Sequence, residues 1–216
     1  AFVLTGNLSD PVHTPQLPEG KALTAFILEE LFRPRDIVLK YTPGQTPELN
    51  TADAQQAFEE AVANFDKKNH TGHAKRFPSR ADRALMLIDA FATSVLRKGK
   101  GVGIVVEHAD ELLANTDSDS HLLLQQILKK LATAPLYTKS DFTILLLSQH
   151  PTQLPELPDY QTLHLPPPDA ATRREALKAV VTDMADEHLD GLVDATDGLC
   201  SIQIERMLKT FNTEDV

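Results

Sequence analysis

The sequence predicts an α/β fold: a parallel five-stranded sheet flanked by helices, followed by a small all-helical segment. Short apolar runs alternate with helical patterns up to residue 165, the order that βαβ units require. The runs are continuously apolar, as strands are when both sheet faces are covered. After Pro166-Pro167-Pro168 the pattern is helical only, which sets a boundary at residue 168, with residues 1–168 as the α/β core and residues 169–216 as a helical subdomain.

Phe2-Val3-Leu4 places the start of the chain inside an apolar run, read as a strand cut from a longer parent protein, and Gly6-Asn7 ends it. A proline-rich loop follows through Pro11, Pro15 and Pro18. Leu23, Phe26, Ile27 and Leu31 then fall at i, i+3, i+4 and i+8, a helical stripe that Pro34 stops. Ile37-Val38-Leu39 is the second strand and ends at Pro43-Gly44. Residues 51–65 are helical, with Thr51 as N-cap and Asp53 in the first turn. Beyond a polar loop, Ser79 opens a helix with Leu85, Ile88, Ala92 and Leu96 on its apolar stripe and Arg97-Lys98-Gly99-Lys100 at its end. Gly101 to Val106 is the third strand, residues 122–132 a helix, residues 142–147 the fourth strand and residues 162–165 the fifth. Residues 170–182, 188–193 and 201–211 are the final helices. There is no internal repeat or low-complexity tract.

Composition narrows the function. With 42% hydrophobic residues the chain suits a globular protein, and no apolar run approaches the roughly 18 residues that cross a bilayer. The opening AFVLTGN has no basic n-region, so the expected location is cytoplasmic and no membrane partner is expected. The single Cys200 excludes an internal disulfide and a cysteine metal site. Thirty-one acids against 21 bases give a charge of −10, which weighs against nucleic acid as a partner. The basic stretch from Lys67 to Arg80 contains one aromatic, Phe77, and reads as a solvated loop. His70 and His73 lack the further ligands of a zinc set, and no metal site is assigned.

Residues 101–113, GVGIVVEHADELL, carry the strongest chemical signal. A β-branched run ending in acids is where nucleotide-hydrolysing α/β proteins hold magnesium and activate water. Here the acidic pair is replaced by Glu107-His108. Glu107 is a candidate metal-holding carboxylate, and the His108 imidazole titrates near neutrality and is a candidate general base. Asp110 and Glu111 suit the dipole of the turn that follows.

Together these segments resemble an AAA+ ATPase module, a P-loop NTPase-like core followed by a helical lid. GIVVEHADELL resembles its Walker B strand, DFTILLLSQHP its sensor 1 strand, LHLPPPDAATRREAL the last strand entering the lid, and ATDGLCSIQIERML a lid turn and helix. The resemblance makes Gly20 and Lys21 the candidate nucleotide-binding pair and Gln149 the candidate sensor. The phosphate loop departs from G-x-x-x-x-G-K-[ST]: Pro15 stands at the first glycine and Ala22 at the hydroxyl residue. PTQLPELPDY, where an arginine finger would lie, holds no arginine, and Arg173-Arg174 alternate with Glu175 as on a solvated face. The expectation is a degenerate AAA+ domain, without cofactor, with a structural, assembly or protein-interaction role in a larger, tandem or multidomain AAA+ protein. Its expected partners are other AAA+ domains or subunits in an oligomer. The alternative is an active or weakly active ATPase that uses ATP and Mg2+ through Lys21, Glu107 and Gln149.

Overall fold

The structure is a computed structural model that describes residues 1–14, 17–113, 118–149, 157–180 and 186–212. Among these residues, six strands form one sheet in the order β5-β4-β6-β7-β1-β8. They are β1 (Phe2–Gly6), β4 (Ile37–Tyr41), β5 (Glu48–Leu49), β6 (Val102–Val106), β7 (Phe142–Ser148) and β8 (Gln161–Leu165). Pairing is parallel between β4 and β6, β6 and β7, and β7 and β1. The five expected strands are present. The two-residue β5, too short to leave a sequence pattern, adds an antiparallel edge through Leu39 opposite Leu49.

Contacts gather the chain into two compact units. One holds residues 1–5 and 24–163, the other residues 6–23 and 164–216. The second unit is built from two separate stretches of chain.

In the first unit, alternate strand residues supply one face of the core. Ile37, Leu39, Tyr41, Val102, Ile104, Val106, Ile144 and Leu146 share a buried cluster with helices α2 (Ala52–Asn69), α3 (Ala81–Leu96) and α4 (Ser118–Thr133). Helix α2 starts as expected: the Thr51 side chain accepts from the Ala54 N–H at 3.1 Å, satisfying a donor that the helix itself leaves open. Leu85, Ile88, Ala92 and Leu96 of α3 are all buried.

The helix read over residues 23–31 takes a different form. Only Leu23–Phe26 is α-helical (α1), and Ile27–Leu31 widens to a π turn in which the Phe32 N–H reaches back to the Ile27 carbonyl at 2.9 Å. The extra residue in the turn shifts the stripe. Leu31, expected on the apolar face, is 57% exposed, while Phe32 is 6% exposed with its ring over Gly103 of β6.

In the second unit, the stretch expected as a proline-rich loop contains an antiparallel hairpin, β2 (Val12–Thr14) with β3 (Leu17–Lys21). Proline is tolerated in a two-stranded ribbon because one edge of each strand makes no ladder bonds. Helices α6 (Ala170–Val180), α7 (Asp186–Ala195) and α8 (Ser201–Asn212) enclose a separate small core of Leu177, Leu189, Val193, Ile204 and Leu208. Arg173 corrects the solvated-face reading. It is buried, donates to the carbonyls of Pro168 at 2.8 Å and Val193 at 3.3 Å, and pairs with Asp197 at 3.0 Å. Arg174 forms an ion pair with Asp190. No described helix is long and apolar enough to cross a membrane.

Candidate functional site

In open parallel sheets, ligands sit beyond the carboxyl ends of the strands, where the order of connections reverses. Here those ends bring Thr5 of β1, Thr42 after β4, Glu107 and His108 after β6, and Ser148 and Gln149 at the end of β7 to one edge of the sheet. Register fixes the arrangement: Thr5 lies opposite Ser148, and Val106 lies opposite both Tyr41 and Leu146.

Glu107 is held on both sides of its backbone and side chain. Its N–H donates to the Tyr41 carbonyl at 2.9 Å, and its Oε2 accepts from the Thr42 hydroxyl at 2.9 Å. Lys40 lies in its field. A hydrogen bond to Glu48 and the charge of Glu107 hold the Lys40 ammonium above its usual pKa against the opposing effect of burial.

The chain turns sharply at His108, whose φ of 48° is left-handed, an arrangement that costs a residue with a Cβ about 1 kcal/mol. Ala109 and Leu112, fully buried in the 3-10 turn Ala109–Leu113, anchor the chain beyond it. The imidazole itself is exposed. Ser148 is fully buried and its hydroxyl meets no hydrogen-bond partner among the described residues. Gln149 is exposed. His150 and residues 151–156 of the segment read for arginine fingers lie outside the described residues, as does Pro15.

The candidate pair Gly20-Lys21 stands in strand β3, with Lys21 opposite Val12. Helix α1 begins two residues later. Gly6, with φ of 91°, turns the chain out of β1. A Cβ there would run into the Leu165 carbonyl and come within 2.7 Å of the His164 ring, so this close approach requires glycine. The Asn7 N–H then donates to the Leu165 carbonyl at 2.9 Å.

Sequence reasoning missed the most heavily bonded carboxylate in this stretch. Asp10 Oδ1 accepts from the Ile202 N–H at 3.2 Å, and its Oδ2 accepts from the Asn7 side chain at 2.7 Å. Burial pushes the Asp10 carboxyl up, but hydrogen bonds from Ser201, Asn7 and Ile202 outweigh it and hold the group below its usual pKa. Asp10 thus caps the first turn of α8 from a distant part of the chain. The local cap position is Cys200, whose N–H donates to the Gln203 side chain at 3.0 Å, half of a capping box.

His70 closes α2 in the left-handed conformation, while His73 packs near the Phe65 ring. Among the described residues, no three His, Cys, Asp or Glu side chains cluster as metal ligands do.

Comparison with known proteins agrees with this architecture. A chain of the HORMA:CdnC:Trip13 complex of E. coli MS115-1 is similar over 90% of this chain and 58% of its own length, with TM-score 0.50 and 15% identity. The AAA domain of FIGL-1 in complex with ADP is similar over 59% of this chain and 44% of its own, with TM-score 0.41 and 16% identity. The chain thus spans about half the length of these structures. No curated protein matches. Residues 1–166 match the sequence model of the AAA+ chaperone N-terminal Rossmann-like domain, and the chain belongs to that family.

Proposed function

We propose that this chain is a non-hydrolysing AAA+ module with a structural, assembly or protein-interaction role in a larger AAA+ protein. One observation carries the reading: the stretch after β1 folds as a hairpin and presents the Asp10 carboxylate, bonded to the first turn of α8, where a phosphate loop would present open N–H groups. These residues do not fit a triphosphate. The Lys21 backbone is paired in a strand, and an anion arriving at this stretch meets a like charge.

The strand-end residues support the same reading. Glu107 is bound to Thr42, and His108 projects into solvent from a left-handed turn. What remains is a framed sheet edge and a lid stapled by the protein's own groups. The proposed partners are other AAA+ domains or subunits of the larger protein. The charge of −10 weighs against nucleic acid.

The test is phosphate release from millimolar Mg-ATP, compared with the Lys21→Ala/Glu107→Gln double variant. Equal background rates support the reading. Release by the native chain that the double variant abolishes overturns it in favour of an ATPase using these residues.

A further inference from the structure

We propose that Ser79 is a phosphorylation site for a serine kinase that selects its substrates by an arginine three residues before the target, and that the phosphate is captured at the start of α3. This goes beyond the function proposed above, which assigns no modification.

Ser79 is exposed and lies in the loop between α2 and α3, two residues before α3 begins at Ala81. A kinase grips its target as extended chain. Residues 76–80, from the selecting arginine to the residue after the hydroxyl, belong to no helix or strand, so none has to unfold first. Phe77 anchors this stretch, its ring centroid 6.0 Å from that of Phe58.

The flanking chemistry singles out this hydroxyl. Ser79 is the one serine or threonine of the sequence with an arginine three residues before it. That residue, Arg76, is exposed, and its planar guanidinium suits a carboxylate pair on a partner. Other serines are closed to a kinase: Ser120 and Ser148 are buried, and Ser94 lies within α3 with its hydroxyl donating to the Phe91 carbonyl at 2.8 Å.

The start of α3 is built to receive the product. Its N-cap, Arg80, makes no side-chain capping bond, unlike Thr51 at the start of α2. A helix leaves its first N–H groups without intrahelical partners and carries the positive end of its dipole there. A phosphoserine brings about 1.5 to 2 negative charges and three acceptor oxygens, which gain charge-assisted hydrogen bonds beside a helix start and arginines. Arg76 and Arg83, both exposed, flank it in sequence. Asp82, the acid in this first turn, opposes the phosphate little: its side chain is 2% exposed, and Arg80 Nε and Nη2 each donate to its carboxylate at 3.1 Å.

The transfer balances with ATP as phosphoryl donor. Ser79 Oγ attacks the γ-phosphorus and forms the new O–P bond, the bond from that phosphorus to the β–γ bridging oxygen breaks, ADP leaves, and the hydroxyl proton passes to the kinase's carboxylate base.

The experiment incubates the 216-residue chain with ATP and the catalytic subunit of cyclic-AMP-dependent protein kinase, an arginine-directed serine kinase, and follows intact mass, with the site located by fragmentation. One phosphate on Ser79 is expected, and none on Ser79→Ala. Arg76→Ala, which changes an exposed side chain, should keep the native circular dichroism and slow transfer by about tenfold or more. In phosphorus NMR, the second ionisation of the phosphate on the folded chain should fall below that of the same phosphoserine in a peptide of residues 73–83, because the helix start and the arginines favour the dianion. Transfer to a different residue, a rate indifferent to Arg76, or no transfer to the chain under conditions that phosphorylate the peptide each overturns the site. An ionisation equal to the peptide's overturns the capture at α3.

Discussion

Asp10 and Ile202 stand 192 residues apart in the chain and are joined by a single hydrogen bond, Ile202 N–H to Asp10 Oδ1 at 3.2 Å. The acceptor sits at the positive end of α8, where a carboxylate satisfies an open donor and meets the helix dipole favourably. Asp10→Ala should therefore destabilise the second unit by about 1 kcal/mol, the typical worth of a cap. Hydrogen exchange checks this: the Ser201 and Ile202 amides should exchange faster, with amides of β6 in the first unit unchanged.

Asp66 supplies a pH-dependent term. Burial pushes its carboxyl up, and the hydrogen bonds from Thr71, Ala74 and His73 pull it down further, to a value below the ordinary 3.8. A carboxyl depressed in the folded state stabilises fully above its unfolded value and loses that contribution as pH falls through the folded one. Thermal unfolding followed down from neutral pH should thus show this contribution disappearing only below about pH 4. Asp66→Asn leaves at least one backbone N–H facing an amide donor, and should cost about 1–3 kcal/mol at neutral pH and flatten that part of the pH profile.

Gly103 and Phe32 test the π turn. A Cβ at Gly103 would sit 2.5 Å from Phe32 Cδ2 and 2.8 Å from its Cγ, inside contact distance. Gly103→Ala should cost about 1–3 kcal/mol in denaturant unfolding, because the ring must leave its place. Adding Phe32→Leu should recover part of that loss, a coupling visible in a double-mutant cycle.

Arg173 is the charged residue on which the lid core closes. Truncating it leaves the Pro168 carbonyl without this donor and Asp197 without its cation, while the Val193 carbonyl keeps the Thr196 hydroxyl at 3.1 Å. Arg173→Ala should destabilise the second unit by about 1–3 kcal/mol, through the hydrogen bonds lost at buried carbonyls. Arg174→Ala, which removes an ion pair with the exposed Asp190, should cost less than about 1 kcal/mol.

The contrast between these two arginines shows where sequence stops being legible. Strands announce themselves as continuous apolar runs and long helices through periodicity, and β6, β7 and α3 follow these patterns. Which of two adjacent arginines is buried depends on carbonyls at residues 168 and 193, and no local pattern carries that. The π turn is similar: Leu23 and Ile27 of the expected stripe are buried, but one extra residue in the turn exchanges Leu31 for Phe32. The hairpin β2–β3 was hidden by its prolines. At the candidate site, Glu107, His108 and Gln149 lie at strand ends as their sequence position implies. Asp10 was invisible because its partner is at the other end of the chain.

On the function proposed above, the stretch after β1 serves the lid and not a nucleotide. Isothermal calorimetry of ATP with magnesium, titrated into the native chain, tests it most directly. No binding heat is expected at millimolar nucleotide. Micromolar, magnesium-dependent binding that Lys21→Ala abolishes would contradict it.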